Sequence, residues 1–295
     1  MNTDIRLMWF RPKEGFNLGD ELAPYLVEKL SGKKVKRIEL KQVWKEDPGE
    51  IFIVVGSIIH YVSNSIYSQK NQHSELDIKI VNWGCGLMFG KNPGQLKLTN
   101  LAVRGPLTRK ALTRFGHFVG DGLGDPGFLM PKFYNPSDSP SFDIGIIPHI
   151  YDYETRETEV SPLLMSEQKM WVDEETKLKI RRLDVREGNI EDFVDQLKSC
   201  RRILSASLHG LVLAEAYNIP HGFIWFSSTK RFGTPFKYKD FYASINVDDR
   251  PPLFVSHNMS ISDILRQIKF VDPKKFDCNS LLNSCPFLDQ RSFPL

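Results

Sequence analysis

The sequence predicts an α/β protein built from two Rossmann-like domains with a central cleft. Short apolar runs alternate with helix-like segments in the first half of the chain. A proline-rich stretch, residues 131–140, then interrupts the pattern, and the same alternation resumes after it. Ligands of such sheets bind at the carboxyl ends of the strands, so the side chains that follow each strand are the first candidates for a site.

The first domain is assigned to residues 1–135, where apolar runs mark strands and turn residues mark helix ends. A helix is predicted at residues 21–30, with Asp20 as its cap and Gly32 at its end. A second helix, residues 106–115, begins with a proline, which suits a first helical position. The predicted strands are residues 5–10, 51–55, 78–83 and 101–103.

The second domain is assigned to residues 141–295. Asn189 predicts the start of a helix whose apolar residues recur at helical spacing. Another helix is predicted at residues 209–217. The predicted strands are residues 144–147, 178–185, 202–205 and 223–226. Because strands and helices alternate here, we expect a parallel sheet with right-handed crossovers.

The composition excludes several classes of protein. The chain has 295 residues, 41% hydrophobic and 25% charged, which is typical of a soluble globular protein. A net charge of +3 is too small to indicate a dedicated nucleic-acid-binding protein. The four cysteines form no CxxC pair, which argues against zinc or thioredoxin-like chemistry. Asp4 and Arg6 interrupt the apolar run that a signal peptide needs, and no apolar stretch is long enough for a membrane span. We therefore expect a cytoplasmic protein without a bound metal.

The segment most indicative of a functional site is residues 201–220, in which His209 lies between a predicted strand and the helix that follows it. A side chain at this place projects into the cleft, and the helix N-terminus beside it favours an anion. Ser205 and Ser207 add hydroxyl donors. His209 is therefore a candidate acid catalyst or phosphate ligand, and the alternative is a core histidine that caps a turn.

Arg104 is the second candidate, because it directly follows an apolar strand and precedes a helix. A guanidinium there suits bidentate binding of a carboxylate or a phosphate. The alternative is a salt bridge across the domain interface. Asp20 stands near Gly19 at a helix start, where its role as a cap would explain it without any ligand.

Weaker signals come from glycine turns and from residues in loops. Gly56 with Ser57, and Gly84, could bring backbone N–H groups to a phosphate, but they match neither GxGxxG nor the P-loop. His149 follows another predicted strand. Asp121 and Asp125 are explained as turn formers, and Lys237 and Lys239 as parts of a solvated basic loop.

Several of these segments, in this order, resemble the polysaccharide pyruvyl transferase family. The residues that carry the resemblance are Asn17, Gly19 and Asp20; Gly56 and Ser57; Trp83 and Gly84; Val103, Arg104, Gly105 and Pro106; Gly124, Asp125 and Pro126; Ile147, Pro148 and His149; and Ser207, Leu208, His209 and Gly210 with Glu215. The resemblance implies a GT-B-like fold. In such folds a final helix often packs back on the first domain, which points to residues 261–270.

The resemblance also implies a reaction. Members of this family take phosphoenolpyruvate as donor, form a cyclic pyruvate ketal on two hydroxyls of a hexose, and release phosphate. The acceptor is a hexose-containing, often lipid-linked oligosaccharide at the cytoplasmic face of the membrane. This implies no cofactor, no nucleic acid, and a peripheral contact with the membrane that the mild positive charge allows.

The resemblance implies which residues bind the donor, which residue catalyses the reaction and which residues bind the acceptor. Arg104 and one of Arg201 or Arg202 bind the carboxylate and phosphate of the donor. His209 is the acid or stabilises the departing phosphate. The remaining donor contacts are Ser207, Gly210, His149 and Lys239, and the acceptor contacts are Asn17, Asp20, Gly56, Ser57, His60 and Gly84.

Two other functions stay open. A nucleotide-sugar glycosyltransferase of GT-B type would need an acidic residue for the ribose, and Glu215 is the one candidate in the His209 helix. A non-catalytic protein that binds carbohydrate or phosphate would use aromatic stacking, for which the chain has five tryptophans and 20 phenylalanines.

Overall fold

A computed structural model describes residues 4–12, 16–73, 77–153, 169–226, 235–248 and 250–288. Within these residues the chain forms two six-stranded, mostly parallel sheets with helices packed against them. This is the α/β architecture with two Rossmann-like sheets that the alternation of strands and helices predicts.

The first sheet is entirely parallel, with the strand order β2-β1-β3-β4-β5-β6. Its strands are β1 (Ile5–Leu7), β2 (Val35–Arg37), β3 (Gly49–Ile53), β4 (Ile78–Trp83), β5 (Thr99–Val103) and β6 (Val119–Leu123). Its helices are α1 (Leu18–Ser31), α2 (Ile59–Gln72), α3 (Pro106–Arg114) and α4 (Met130–Phe133), with short 3-10 helices at Leu40–Lys45 and Pro126–Leu129.

Helix α1 begins earlier than the sequence predicts. The cap position belongs to Asn17, and Asp20 lies inside the first turn, so the assignment of Asp20 as the cap is wrong. The end of the helix is as predicted, because Gly32 adopts the left-handed conformation (φ 63°) that closes it.

The second sheet has the order β12-β11-β10-β7-β9-β8, and only β8 runs antiparallel to its neighbour. Its strands are β7 (Ile144–Ile147), β8 (Met170–Val172), β9 (Lys179–Arg182), β10 (Ile203–Ser205), β11 (His221–Trp225) and β12 (Leu253–Phe254). Its helices are α5 (Ile190–Lys198), α6 (Leu208–Ala216), α7 (Pro235–Ser244), α8 (Ile261–Gln267) and α9 (Asn279–Asn283), with a 3-10 helix at Ile150–Tyr153. Asn189 caps α5 as predicted, since its side chain accepts a hydrogen bond from the Asp192 N–H.

One hydrophobic cluster joins the two sheets. It contains Leu22 and Leu26 of α1, Trp83 of β4, Phe193 of α5 and Leu213 of α6, all buried. Removing so much apolar surface from water favours a fixed arrangement of the two halves. None of the helices in the described ranges is both long and apolar enough to cross a membrane.

The chain returns to the first sheet near its end, but not through residues 261–270. Helix α8 packs in the core of the second sheet, where Ile261 and Ile264 are buried. The return is made by α9 and the residues after it. Trp83 Nε1 donates to the carbonyl of Leu281 at 3.0 Å, and the Phe287 ring packs edge-on against Trp83.

Candidate active site

A cavity of about 420 Å³ lies between the two sheets at the carboxyl ends of their strands. The strand order reverses between β1 and β3 in the first sheet, and between β7 and β10 in the second. Residues that follow these four strands line the cavity, namely Phe10, Ser57, His149 and His209. Open parallel sheets bind ligands at such reversals, and here two reversals face one another.

His209 lies in the first turn of α6 with its ring pressed against α1. A Cβ atom on Gly19 would lie 2.0 Å from Nδ1 of the imidazole, so this contact requires glycine at position 19. Burial, together with the positive charges of Lys237 and Arg104, lowers the pKa of His209 to about 3. The imidazole is therefore neutral at pH 7. Its lone pair can accept a proton, whereas the acid role expected for His209 needs the protonated ring.

Lys237 brings a cation into the cavity from α7. Its side chain is buried, and Nζ lies 3.4 Å from Nε2 of His149. Burial lowers the pKa of Lys237 to about 8, with Arg104 acting in the same direction and Asp20 opposing it. Burial also lowers the pKa of His149 well below its usual range, helped by Lys237 and His209. Among the described residues that line the cavity, Lys237 is therefore the group that carries positive charge at neutral pH.

Asp20 faces the same cavity from the first turn of α1. Burial raises the pKa of this carboxyl to about 7, although a hydrogen bond from the Asn17 amide and the charge of Lys237 oppose the shift. The start of the helix is tied to the second half of the molecule, because the Leu18 N–H donates to the carbonyl of Val185 at 2.8 Å. A carboxyl with a pKa near 7 can exchange a proton at physiological pH.

Gly56 and Ser57 form the wall of the cavity next to Asp20. Gly56 has a φ of 106°, which favours glycine, and a Cβ atom there would lie 3.3 Å from Oδ1 of Asp20. The Ser57 hydroxyl accepts a hydrogen bond from the guanidinium of Arg104.

Arg104 lies behind this wall and does not line the cavity. Its side chain is fully buried, with Nη2 3.1 Å from Oδ2 of Asp240 and a hydrogen bond to the Leu87 carbonyl at 2.9 Å. This is the salt bridge between the two halves that was the alternative to a ligand-binding role. Arg104 therefore acts on the cavity through its charge and through its hydrogen bond to Ser57, and it is not one of the lining residues.

Ser207 lines the cavity, whereas Gly210 lies in the packing beneath it. Ser207 occupies the cap position of α6 and lines the cavity. First-turn N–H groups have no acceptor within a helix, so α6 presents the positive end of its dipole there. Gly210 lies below the surface, where a Cβ atom would come within 2.4 Å of the Ser205 hydroxyl. It allows α6 to pack closely on the sheet.

Arg201 and Arg202 do not reach the cavity, contrary to the expected donor contacts. Both precede β10, and in a parallel sheet the residues before a strand lie at the edge opposite to those after it. Arg201 Nε lies 3.8 Å from Oδ1 of Asp143, and the Arg202 guanidinium lies over the ring of Phe270 at 5.3 Å.

Three other expected contacts also lie outside the cavity lining. The segment with Lys237 and Lys239 is a helix and not a loop, and two residues along a helix turn a side chain by about 200°. Lys239 therefore points away from the side that carries Lys237. His60 Nε2 lies 3.2 Å from the carbonyl of Lys91. Gly84 (φ 102°) packs against Pro126, which a Cβ atom would approach to 2.3 Å.

Lys237, Asp125 and the aromatic side chains of the cavity lining were not predicted as site residues from the sequence. The aromatic side chains are Phe10, Tyr61 and Tyr151. The signal for Lys237 was present in the residues after it: Tyr238, Phe241 and Tyr242 have the i, i+3, i+4 spacing of a buried helix face. Within the described ranges, no group of three or more histidine, cysteine and acidic side chains is placed to hold a metal ion.

The fold and the cavity first define a class: a two-sheet α/β protein whose central cavity holds a buried lysine, two histidines and a carboxyl group. The family model described as polysaccharide pyruvyl transferase matches residues 17–228. The chain belongs to this family, which indicates an enzyme that transfers pyruvyl groups to polysaccharide. Lys237 and Asp240 lie beyond the matched residues.

A viral protein is similar to most of this chain. Over 254 residues the protein is 26% identical to an uncharacterized protein of Acanthamoeba polyphaga mimivirus, and the alignment covers 84% of this chain and 78% of the relative. No solved structure gives a significant match to the chain.

Proposed function

We propose that the protein transfers pyruvate from phosphoenolpyruvate to two hydroxyls of a hexose in a lipid-linked polysaccharide repeat unit. The products are a cyclic ketal and phosphate. One observation carries the proposal within the family: buried Lys237 lies 3.4 Å from His149 at the same cavity as the α6 N-terminus and Asp20. An anion bound at Lys237 would lie beside groups that can exchange protons, which supports the proposal.

The second half of the molecule supplies the donor site in this proposal. Phosphoenolpyruvate is a small, highly charged anion, and Lys237, the Ser207 hydroxyl and the α6 N-terminus are suited to its phosphate and carboxylate. Arg104 strengthens the positive potential from behind the wall. Asn17, Asp20 and Ser57 would contact the acceptor from the first half, which is the division of labour expected of a GT-B-like arrangement. No cofactor enters the reaction, and we expect it to take place in the cytoplasm at the membrane surface.

The reaction balances with the groups present. Protonation of the methylene carbon of the donor makes the neighbouring carbon electrophilic, and one sugar hydroxyl adds to it. The bond from that carbon to the phosphate oxygen breaks, and the second hydroxyl closes the ketal ring. One hydroxyl proton ends on the new methyl group and the other on phosphate. Lys237 is the acid in this scheme, and Asp20 and His209 are the bases for the two hydroxyls.

The glycosyltransferase alternative loses its main support. Glu215, the carboxylate considered for a nucleotide ribose, is only 2% exposed. It accepts a hydrogen bond from the Lys274 N–H at 2.9 Å and lies 3.7 Å from Nδ1 of His221. Glu215 is therefore part of the core of the second sheet and does not line the cleft.

The test is to incubate the protein with phosphoenolpyruvate and galactosides, glucosides or N-acetylmannosamine glycosides. Mass spectrometry would detect the gain of one pyruvate less one water, and a phosphate assay would detect the second product. Phosphoenolpyruvate at a hundredfold excess over its Kd should stabilise the protein by about 2.7 kcal/mol. Stabilisation by nucleotide sugars and not by phosphoenolpyruvate would favour the glycosyltransferase, and a response to sugar alone would favour the non-catalytic binding protein.

A further inference from the structure

Two buried polar atoms, one on Asp125 and one on His209, face each other without a hydrogen bond to any residue that the structure describes. Asp125 is fully buried, and its Oδ1 accepts a hydrogen bond from the Gly127 N–H at 2.9 Å. Its Oδ2 lies 3.9 Å from Nε2 of His209, and both atoms are buried and lack a partner among the described residues. Buried polar atoms almost always find partners, so two unpaired atoms facing each other call for a physical reason.

Close packing around the Asp125 carboxylate and the His209 imidazole holds the two groups next to each other. A Cβ atom on Gly127 would come within 2.8 Å of Val212, which lies in the helix that carries His209. Glycine therefore allows the Asp125 turn to approach α6 closely. Gly19 allows α1 to approach the Nδ1 edge of the imidazole closely, as described above. The ring is held between α1 and the carboxylate of Asp125.

The charges around the pair decide which atom holds the proton. Lys237 and Arg104 act on His209, and Asp20 and His149 line the same cavity. Arg104 and Asp240 act on Asp125, and burial raises the pKa of this carboxyl to about 6. At pH 7 the pair is therefore a carboxylate beside a neutral imidazole. Because a carboxylate offers only acceptors, the single ring proton belongs on Nε2.

We propose that Asp125 is the positioning residue of His209: its carboxylate accepts the Nε2 proton, so Nδ1, at the ring edge next to Gly19, carries the lone pair. The 3.9 Å separation is longer than a hydrogen bond, and catalytic hydrogen bonds of ligand-free enzymes often tighten when substrate binds. The catalytic meaning of this tautomer, a base ready for a sugar hydroxyl, rests on the proposed function. The tautomer itself does not.

Nuclear magnetic resonance of the protein labelled with ¹⁵N-histidine tests the tautomer directly. Long-range proton–nitrogen correlations separate the two ring tautomers, and the spectrum of His209→Gln identifies the signals of His209. We expect neutral imidazole with the proton on Nε2 at pH 7, and a downfield shift of that proton when phosphoenolpyruvate is added. A proton on Nδ1 in the wild-type protein would overturn the proposal, and this result needs no variant of Asp125.

The variant Asp125→Asn adds a prediction with a definite direction. The asparagine oxygen would keep the hydrogen bond from the Gly127 N–H, so its NH₂ group would face His209. Nε2 must then accept, and the ring proton moves to Nδ1. In a catalytic triad the wrong tautomer costs about 10⁴-fold in kcat, and we expect a loss of roughly a hundredfold or more here, with little change in the KM for phosphoenolpyruvate.

Asp121→Asn is the matched control, because Asp121 is an exposed carboxylate four residues earlier in the same glycine-rich segment. It should leave the His209 signals and kcat unchanged. An Asp125→Asn protein with wild-type histidine signals, pH profile and kcat would overturn the proposal. A wild-type protein that shows the expected tautomer but no stabilisation by phosphoenolpyruvate would instead refute the proposed donor and leave the pairing intact.

Discussion

Arg104 and Asp240 form a fully buried ion pair between the two halves of the molecule, with 3.1 Å between Nη2 and Oδ2. Asp240 also accepts hydrogen bonds from the backbone N–H and the hydroxyl of Thr108, at 2.9 and 2.6 Å. Gly105 makes this close approach possible, since a Cβ atom there would lie 2.2 Å from the Asp240 carbonyl oxygen. Asp240 follows Lys237 by three residues on α7, so the pair fixes the helix that carries the cation of the cavity.

Asp240→Asn should therefore destabilise the protein strongly. The substitution leaves the Arg104 charge buried without its counter-charge, which typically costs about 3–5 kcal/mol. Urea unfolding with linear extrapolation measures the loss in the free energy of unfolding. Asp248→Asn, at an exposed carboxylate shortly after the same helix, should stay within about 0.5 kcal/mol of the wild type. An Asp240→Asn protein as stable as the wild type would contradict the role of this pair.

Lys237→Met should strongly reduce the stabilisation by phosphoenolpyruvate, whereas Lys239→Met should keep it. Hydrogen bonds to charged groups contribute about 1.5–3 kcal/mol, so the affinity for the donor should fall roughly 10- to 100-fold. The two lysines lie on one helix with one residue between them, but only Lys237 lines the cavity. Thermal shift against a phosphoenolpyruvate titration compares the two variants. Equal losses from both would mean that charge alone, and not the place of Lys237, matters.

The sequence predicts the central strands well and the edge strands poorly. Strand β4 has the predicted bounds, and β7 does as well, because both are apolar runs buried in the sheet. The edge strands β2 and β8 are three residues each and half-exposed, so neither has an apolar run that a pattern could show. The helices that end in glycine or begin at an asparagine cap were predictable from those residues alone.

The sequence predicts the site residues only where the side chain directly follows a strand that ends at the cleft. His209, His149 and Ser57 reach the cavity because each follows a strand that ends at the cleft. Lys237 comes from a helix that runs beside the sheet, so no strand end marks it. The pairing of Asp125 with His209 joins residues 84 positions apart in the chain, and such contacts follow from packing that no local pattern shows.

The rate of pyruvyl transfer should follow a narrow bell-shaped pH profile. The base Asp20 is protonated below its pKa of about 7, so kcat/KM should fall about tenfold per pH unit there. Lys237 loses its charge above its pKa of about 8, so donor binding should weaken on the alkaline side. In Asp20→Asn the residual kcat/KM should no longer fall on the acid side of the pH profile, and it should still fall on the alkaline side. Glu21→Gln, at the neighbouring carboxyl of α1, should keep both, and an unchanged acid limb in Asp20→Asn would exclude Asp20 as the base.

Gly19→Ala should impair catalysis without unfolding the protein. A Cβ atom at this position would lie 2.0 Å from Nδ1 of His209, so the imidazole must move. Alanine is better than glycine within a helix by about 0.5–1 kcal/mol, which offsets part of the steric cost to α1. We expect at least a tenfold loss of kcat with a melting temperature close to that of the wild type. Gly32→Ala, at the left-handed end of the same helix (φ 63°) with no atom within 4 Å, should show the opposite: lower stability and unchanged kcat. A fully active Gly19→Ala protein would mean that the contact between α1 and the imidazole is not needed for the reaction.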